Sequence, residues 1–255
     1  MSPTTSGSAN TPPGRSETPP GGLIVPPDQL TSVVKPLWET RLYTFVDTAY
    51  LGGRDPAVLA RALCDGGSDL IQIRAKDSPV DEVRRLAEIV LQVTRRAGIR
   101  MVLNDHWNLA AELGADLAHL GQEDFFDAGH RLASDLRRSP SDPGLGLSTH
   151  APQQAERALA AGPDYIAIGP VFATATKPGK PAVTLDYVRW AAGAVKIPWF
   201  AIGGINLQTL DAVLQAGARR VCVVSAILNA ENPGAACREF RRRLDSVPLS
   251  PPTNG

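Results

Sequence analysis

From residue 42 onward the chain repeats one pattern: a short unbroken apolar run, a polar turn, then a longer stretch with apolar residues at helical spacing. The runs at 42–46, 69–73, 100–103, 117–120, 144–147, 165–168, 198–202 and 220–224 predict eight strands. They are continuous rather than alternating, as strands covered on both faces of a parallel sheet are. Helices are predicted between and after them at 55–65, 79–97, 107–113, 127–138, 152–161, 185–194, 207–216 and 233–244. Asp55 followed by Pro56 reads as an N-cap and a first helical residue. Val83, Leu86, Ala87, Val90, Leu91 and Val93 fall near helical spacing in the longest of them. The stretch 127–138 ends in a basic turn that suits the helix dipole.

Eight strand–helix units in roughly 210 residues match a closed α/β barrel of the (β/α)8 type, a TIM barrel in one domain. An open doubly wound sheet is the alternative. It wants a glycine-rich GxGxxG turn after the first strand, which the segment 48–54 does not supply. A weak internal repeat supports regular units: Gly67-Ser68-Asp69, Gly114-Ala115-Asp116 and Gly162-Pro163-Asp164 precede strands two, four and six, with Gly217-Ala218-Arg219 before strand eight. Glycine stops the helix and the polar residue turns the chain, so the repeat is scaffold.

Outside this region the composition shifts. Residues 1–36 are rich in Pro, Ser, Thr and Gly and poor in large apolar groups, and are expected to form a disordered tail around a catalytic domain at 37–246; residues 247–255 read the same way. The 43% apolar content of the whole chain supports a substantial core. A formal net charge of zero argues against nucleic acid as the main partner. No run is long and apolar enough to span a membrane, and the N-terminus lacks the apolar centre of a secretory signal. Cys64, Cys222 and Cys237 have no ligand spacing, which fits a reducing cytoplasm. The histidines show no metal spacing, Trp107, Trp190 and Trp199 read as packing residues, and Arg241-Arg242-Arg243 as a solvated last turn.

Candidate chemistry collects where the strands end, the face on which such barrels place their active sites. After strand two comes Gln72-Ile73-Arg74-Ala75-Lys76. By period-two alternation Gln72, Arg74 and Lys76 share one face, and Ile73 and Ala75 the other. Two cations at a strand end are either a polyphosphate site or a fraying, solvated loop. After strand three stand Asn104 and Asp105, after strand four Gln122, Glu123 and Asp124, and after strand five Ser148, Thr149 and His150. Thr174-Ala175-Thr176-Lys177 follows strand six, Gly203-Gly204 strand seven, and Ser225 strand eight. Asp105 and Asp124 lie at neighbouring strand ends and could share a hard cation such as Mg2+, which completes its shell with water and phosphate oxygens. Alternatively Asp105 caps a helix starting at His106 and Asp124 one near Asp127. Gly203-Gly204 with Ser225 occupies the usual barrel position for a backbone-bound monophosphate; a plain tight turn is the alternative.

Taken in order, Gln72-Ile-Arg-Ala-Lys76, Leu103-Asn-Asp105, His119-Leu-Gly-Gln-Glu-Asp124, Ser148-Thr-His150, Gly169-Pro-Val-Phe-Ala-Thr-Ala-Thr-Lys177, Ala201-Ile-Gly-Gly-Ile205 and Val224-Ser-Ala-Ile227 resemble the thiamine-phosphate synthase family over about residues 41 to 245. The resemblance implies a transferase of thiamine biosynthesis. Such an enzyme condenses a hydroxymethylpyrimidine diphosphate with a thiazole phosphate to thiamine monophosphate, releasing pyrophosphate with Mg2+ and by a dissociative route. It implies Gln72, Ile73, Arg74, Ala75, Lys76, Asn104, Ser148, Thr174, Ala175, Thr176, Lys177, Gly204, Val224 and Ser225 as substrate-binding residues. Arg74, Lys76, Ser148 and Lys177 would be catalytic, and Asp105 and Asp124 the Mg2+ ligands. The expected partners are the two small-molecule substrates, with no nucleic acid and no membrane; whether the chain forms a homo-oligomer stays open. Two positions depart from the family pattern: Ala75 stands where an acidic residue is usual, and His106 where an arginine is. A thiazole tautomerase-like barrel and a catalytically inactive ligand-binding barrel are the alternatives.

Overall fold

Asp55 shows how local chemistry places the elements: its carboxylate accepts the Ala57 and Val58 N–H groups, and Pro56 supplies the first helical residue. The computed structural model describes residues 1–3, 34–173 and 183–249. Its strands are β1 Leu42–Asp47, β2 Leu70–Arg74, β3 Arg100–Asn104, β4 Leu117–Gly121, β5 Gly144–Thr149, β6 Tyr165–Ile168, β7 Trp199–Ile202 and β8 Val221–Cys222. Every neighbouring pair is parallel, and β1 pairs with β8 to close an eight-stranded barrel. The helices are α1 Thr48–Leu51, α2 Pro56–Asp65, α3 Val80–Ala97, α4 Trp107–Leu113, α5 Gln122–Asp127, α6 Pro152–Ala160, α7 Thr184–Ala194, α8 Leu210–Gln215, α9 Ser225–Leu228 and α10 Pro233–Asp245. The predicted TIM barrel is therefore the observed fold. Among the described residues no helix is long and apolar enough to cross a membrane.

The core lies in two shells. Helix faces such as Val83, Leu86, Ala87, Val90 and Leu91 of α3 are buried on the outside of the strands. Inside, Tyr43, Tyr165 and Phe200 fill the barrel, each no more than 1% exposed. β5 makes room for them with Gly146, where a Cβ would overlap the Tyr165 ring.

The Gly-x-Asp repeat has a shared task. Asp69, Asp116 and Asp164 each reach back to the strand before and accept a backbone N–H near its start: Leu42 at 3.1 Å, Met101 at 2.9 Å and Leu145 at 2.6 Å. Asp69 also takes Arg41 N–H, Lys35 and Arg241. Lys35 lies in the stretch read as a tail; the rest of that stretch, apart from 1–3, 34 and 36, lies outside the described residues, as do residues 250–255.

One predicted helix is corrected. The predicted helix over 127–138 does not form: the helix is α5, which starts directly after β4 and ends at Asp127, and only a single 3-10 turn follows at Ala133–Asp135. Gly129 takes a φ of 88°. The Asp135 carboxylate then captures the Arg131 and Leu132 N–H groups, and Asp142 those of Arg138 and Ser139. Side chains that hydrogen-bond the local backbone compete with the helix, and here they win. α8 spans Leu210–Gln215, a later start than the predicted 207; Asn206 and Thr209 exchange capping hydrogen bonds in the turn that leads into it. The short helices α1 and α9, at the ends of β1 and β8, were outside the predicted pattern.

Candidate active site

The C-terminal ends of the strands surround a cavity at the barrel mouth. Its lining includes Gln72 and Arg74 of β2, Asn104 of β3, Ser148 of β5, Gly204 after β7, and Val224 and Ser225 after β8. Seven of the predicted site residues thus meet in one place. Alternation explains the selection at β2: the Ile73 and Ala75 side chains turn into the core, 0% and 8% exposed, and are not among the lining residues. Ala75, the departure from the family pattern, therefore points away from the cations. Lys76 is exposed beyond the end of β2. Thr174, Ala175, Thr176 and Lys177 lie outside the described residues.

Beneath the mouth runs a buried polar chain that was not anticipated. Gln72 Nε2 donates to Tyr43 Oη at 2.5 Å, the Tyr43 and Tyr165 hydroxyls lie 3.0 Å apart, and Tyr165 Oη is 3.0 Å from His119 Nδ1. Burial pushes both phenols well above their usual range, so they remain neutral hydrogen-bonding groups. The signal was present as strand period: Tyr43, His119 and Tyr165 take the inward phase of their strands, as Gln72 does. At the cavity edge His150 donates from Nδ1 to the Gly169 carbonyl.

Arg74 is half-buried and paired with Asp47, the last residue of β1, at 2.9 Å. No local pattern pointed to Asp47.

Asp105 and Asp124 line an adjoining cleft rather than the mouth itself, together with His106, Trp107 and His130. Asn104 joins the two spaces, since it lines the mouth and its Nδ2 donates to Asp105 Oδ2 at 2.6 Å. Neither aspartate caps a helix. The N-cap of α4 is His106, without a side-chain cap, and Asp124 lies inside α5. Asp105 instead centres a tight turn with φ of 64°, closed by His106 N–H on the Asn104 carbonyl, while its own N–H donates to His119. A non-glycine residue held there costs on the order of 1–3 kcal/mol, a strain found chiefly at functional sites. Desolvation raises the Asp105 carboxyl above its usual pKa and the Asp124 charge raises it further; His106, Lys76 and Arg74 pull it down. The like charges at 105 and 124 and the cations at 74 and 76 therefore act on one another across the rim.

Two carboxylates are a hard-oxygen donor pair whose repulsion a shared cation relieves. Among the described residues no cluster of three or more His, Cys, Asp or Glu side chains is placed to hold a metal. A cation here would take most of its shell from water and ligand oxygens, which is the habit of Mg2+. The residues fit that ion.

Across the mouth, Gly203 and Gly204 take φ of 102° and 66°. A Cβ on Gly204 would stand 2.7 Å from Phe172 Cβ and 3.0 Å from the Ala173 carbonyl. Both conformation and close approach demand glycine.

Residues 42–227 match the family model described as thiamine monophosphate synthase. A thiamine-phosphate synthase of Thermus thermophilus is 50% identical over 189 residues, spanning 73% of this chain and 87% of the relative. That of Acidothermus cellulolyticus is 43% identical over 212 residues, 82% of this chain and 96% of its own. Among solved structures, a thiamine phosphate pyrophosphorylase from Pyrococcus furiosus superposes with a TM-score of 0.69 at 26% identity, covering 82% of this chain and 98% of that one.

Proposed function

The chain belongs to the thiamine monophosphate synthase family, and from that premise we propose that it joins a hydroxymethylpyrimidine diphosphate to a thiazole phosphate, forming thiamine monophosphate and releasing pyrophosphate. The observation that carries the reading is one cavity in which Gln72, Arg74, Asn104 and Ser148 meet Gly204 and Ser225, beside the rim carboxylates Asp105 and Asp124.

Each group has a role in that reaction. Arg74, Lys76, Asn104 and Ser148 hold the diphosphate oxygens. Gln72, oriented by Tyr43, meets the pyrimidine. Asp105 and Asp124 would hold Mg2+, which would supply charge neutralisation for the departing diphosphate. Gly204 with the Val224–Ser225 turn holds the thiazole phosphate through backbone N–H groups. The carbon–oxygen bond to the diphosphate breaks first, its electron pair leaving with pyrophosphate, and the thiazole nitrogen then supplies the pair for the new carbon–nitrogen bond. That nitrogen carries no proton to remove, so no general base is needed. Stabilising the leaving group is the main demand, which fixed donors meet best. Lys177, with Thr174, Ala175 and Thr176, belongs to the set on sequence grounds alone, and residues 37–246 form its catalytic domain. The free thiols of Cys64, Cys222 and Cys237 suit a reducing compartment, and we place the protein in the cytoplasm.

The test is incubation of the protein with both substrates and Mg2+, followed by detection of thiamine monophosphate. Folded protein that gives none would favour a tautomerase-like or purely ligand-binding barrel.

A further inference from the structure

Asp47 and Arg74 are register partners at the ends of β1 and β2. Both oxygens of the Asp47 carboxylate are engaged: Oδ1 accepts Ala49 N–H at 3.0 Å, capping α1, and Oδ2 accepts Arg74 Nη1 at 2.9 Å. The residue is 1% exposed. It is therefore fixed from two sides and does not line the cavity, whereas Arg74 does.

We propose that Asp47 is a positioning residue: it holds the Arg74 guanidinium in place so that its remaining donors are already turned to the departing diphosphate. The proposal rests on the reading of the mouth as a diphosphate site. An arginine has five N–H donors in a rigid fork, and the pairing uses one of them, on Nη1. A long side chain at a strand end otherwise surrenders its rotamer freedom at the moment of binding. Asp47 removes that loss in advance, and its own position does not depend on Arg74, because Ala49 N–H and the strand end hold it. The pairing also offsets part of the arginine charge. A carboxylate whose only effect was to damp that charge would weaken diphosphate binding, so its removal would strengthen it; positioning predicts the opposite.

The test is a double-substitution cycle on kcat and on each KM, with pyrophosphate affinity measured separately by calorimetry. Asp47→Ala is expected to lower kcat by about tenfold to a hundredfold and to weaken pyrophosphate binding, with the thiazole phosphate KM unchanged. Asp47→Asn, which keeps an acceptor but not the charge, is expected to recover part of the loss. In an Arg74→Ala background either change at 47 is expected to alter kcat less than about twofold. Equal losses in both backgrounds, or tighter pyrophosphate binding in Asp47→Asn, would overturn the positioning role. If Asp47→Ala does not fold, Asp47→Asn answers the same question. Full activity in Arg74→Ala alone would overturn the diphosphate reading itself, a result distinct from additivity at 47.

Discussion

Tyr43 and Tyr165 meet hydroxyl to hydroxyl at 3.0 Å inside the barrel, with Gln72 on one side and His119 on the other. The chain links the barrel interior to the cavity, which Gln72, Tyr43 and His119 line. Tyr165→Phe leaves the hydroxyl of Tyr43 and the ring nitrogen of His119 without that partner. Losing these two buried hydrogen bonds costs about 1–3 kcal/mol. Chemical denaturation is expected to show that loss, and steady-state kinetics a higher KM for the pyrimidine diphosphate, because the Tyr43 hydroxyl that orients Gln72 is itself less firmly held.

The same pair sets an alkaline limit. Burial raises both phenols in the folded state above their usual pKa. A group whose folded pKa is raised holds its proton more firmly when folded. Stability is therefore intact below the unfolded value of about 10 and falls as pH climbs above it. Unfolding free energies measured from pH 8 to 11 are expected to drop at the upper end, and less steeply in Tyr165→Phe.

The rim carboxylates separate metal-dependent chemistry from folding. Asp105→Ala is expected to remove Mg2+-dependent turnover, by about a hundredfold or more, while the melting temperature changes little: repulsion from the Asp124 charge is relieved, but the φ of 64° is no easier for alanine and the Asn104 hydrogen bond is lost. Full activity in this variant would mean that the metal assignment is wrong.

The opposite side of the mouth is probed by charge. Ser225→Asp sets a carboxylate where the thiazole phosphate is held. The thiazole phosphate KM is expected to rise by about tenfold or more, with the pyrimidine diphosphate KM nearly unchanged. A change confined to the pyrimidine side would exchange the two half-sites.

At the far end of the barrel, Asp69 gathers Lys35, Arg241 and the N–H groups of Arg41 and Leu42. Asp69→Ala strands buried donors and is expected to cost about 3–5 kcal/mol of stability, with kcat unchanged in protein that remains folded.

The barrel was legible because its signals are local. Continuous apolar runs marked strands covered on both faces, and Asp55-Pro56 and Gly98 marked helix ends that the structure reproduces. The misread segment at 127–138 had helical composition, and only Gly129 and the capturing carboxylates of Asp135 and Asp142 turned it into a loop. The mouth was legible in part, since alternation at β2 separated Gln72 and Arg74 from Ile73 and Ala75. Asp47 and the tyrosine pair were not, because their partners stand 27 and 122 positions away. Such contacts exist only once the barrel closes.

The proposed reaction requires that diphosphate and metal meet on one rim, between Arg74 and the two aspartates. The most direct measurement is a crystal structure of the protein with Mg2+ and pyrophosphate. Pyrophosphate oxygens are expected within hydrogen-bond distance of Arg74, Asn104 and Ser148, with Mg2+ held at Asp105 and Asp124. Pyrophosphate bound elsewhere, or at the mouth with Mg2+ away from both carboxylates, would contradict it.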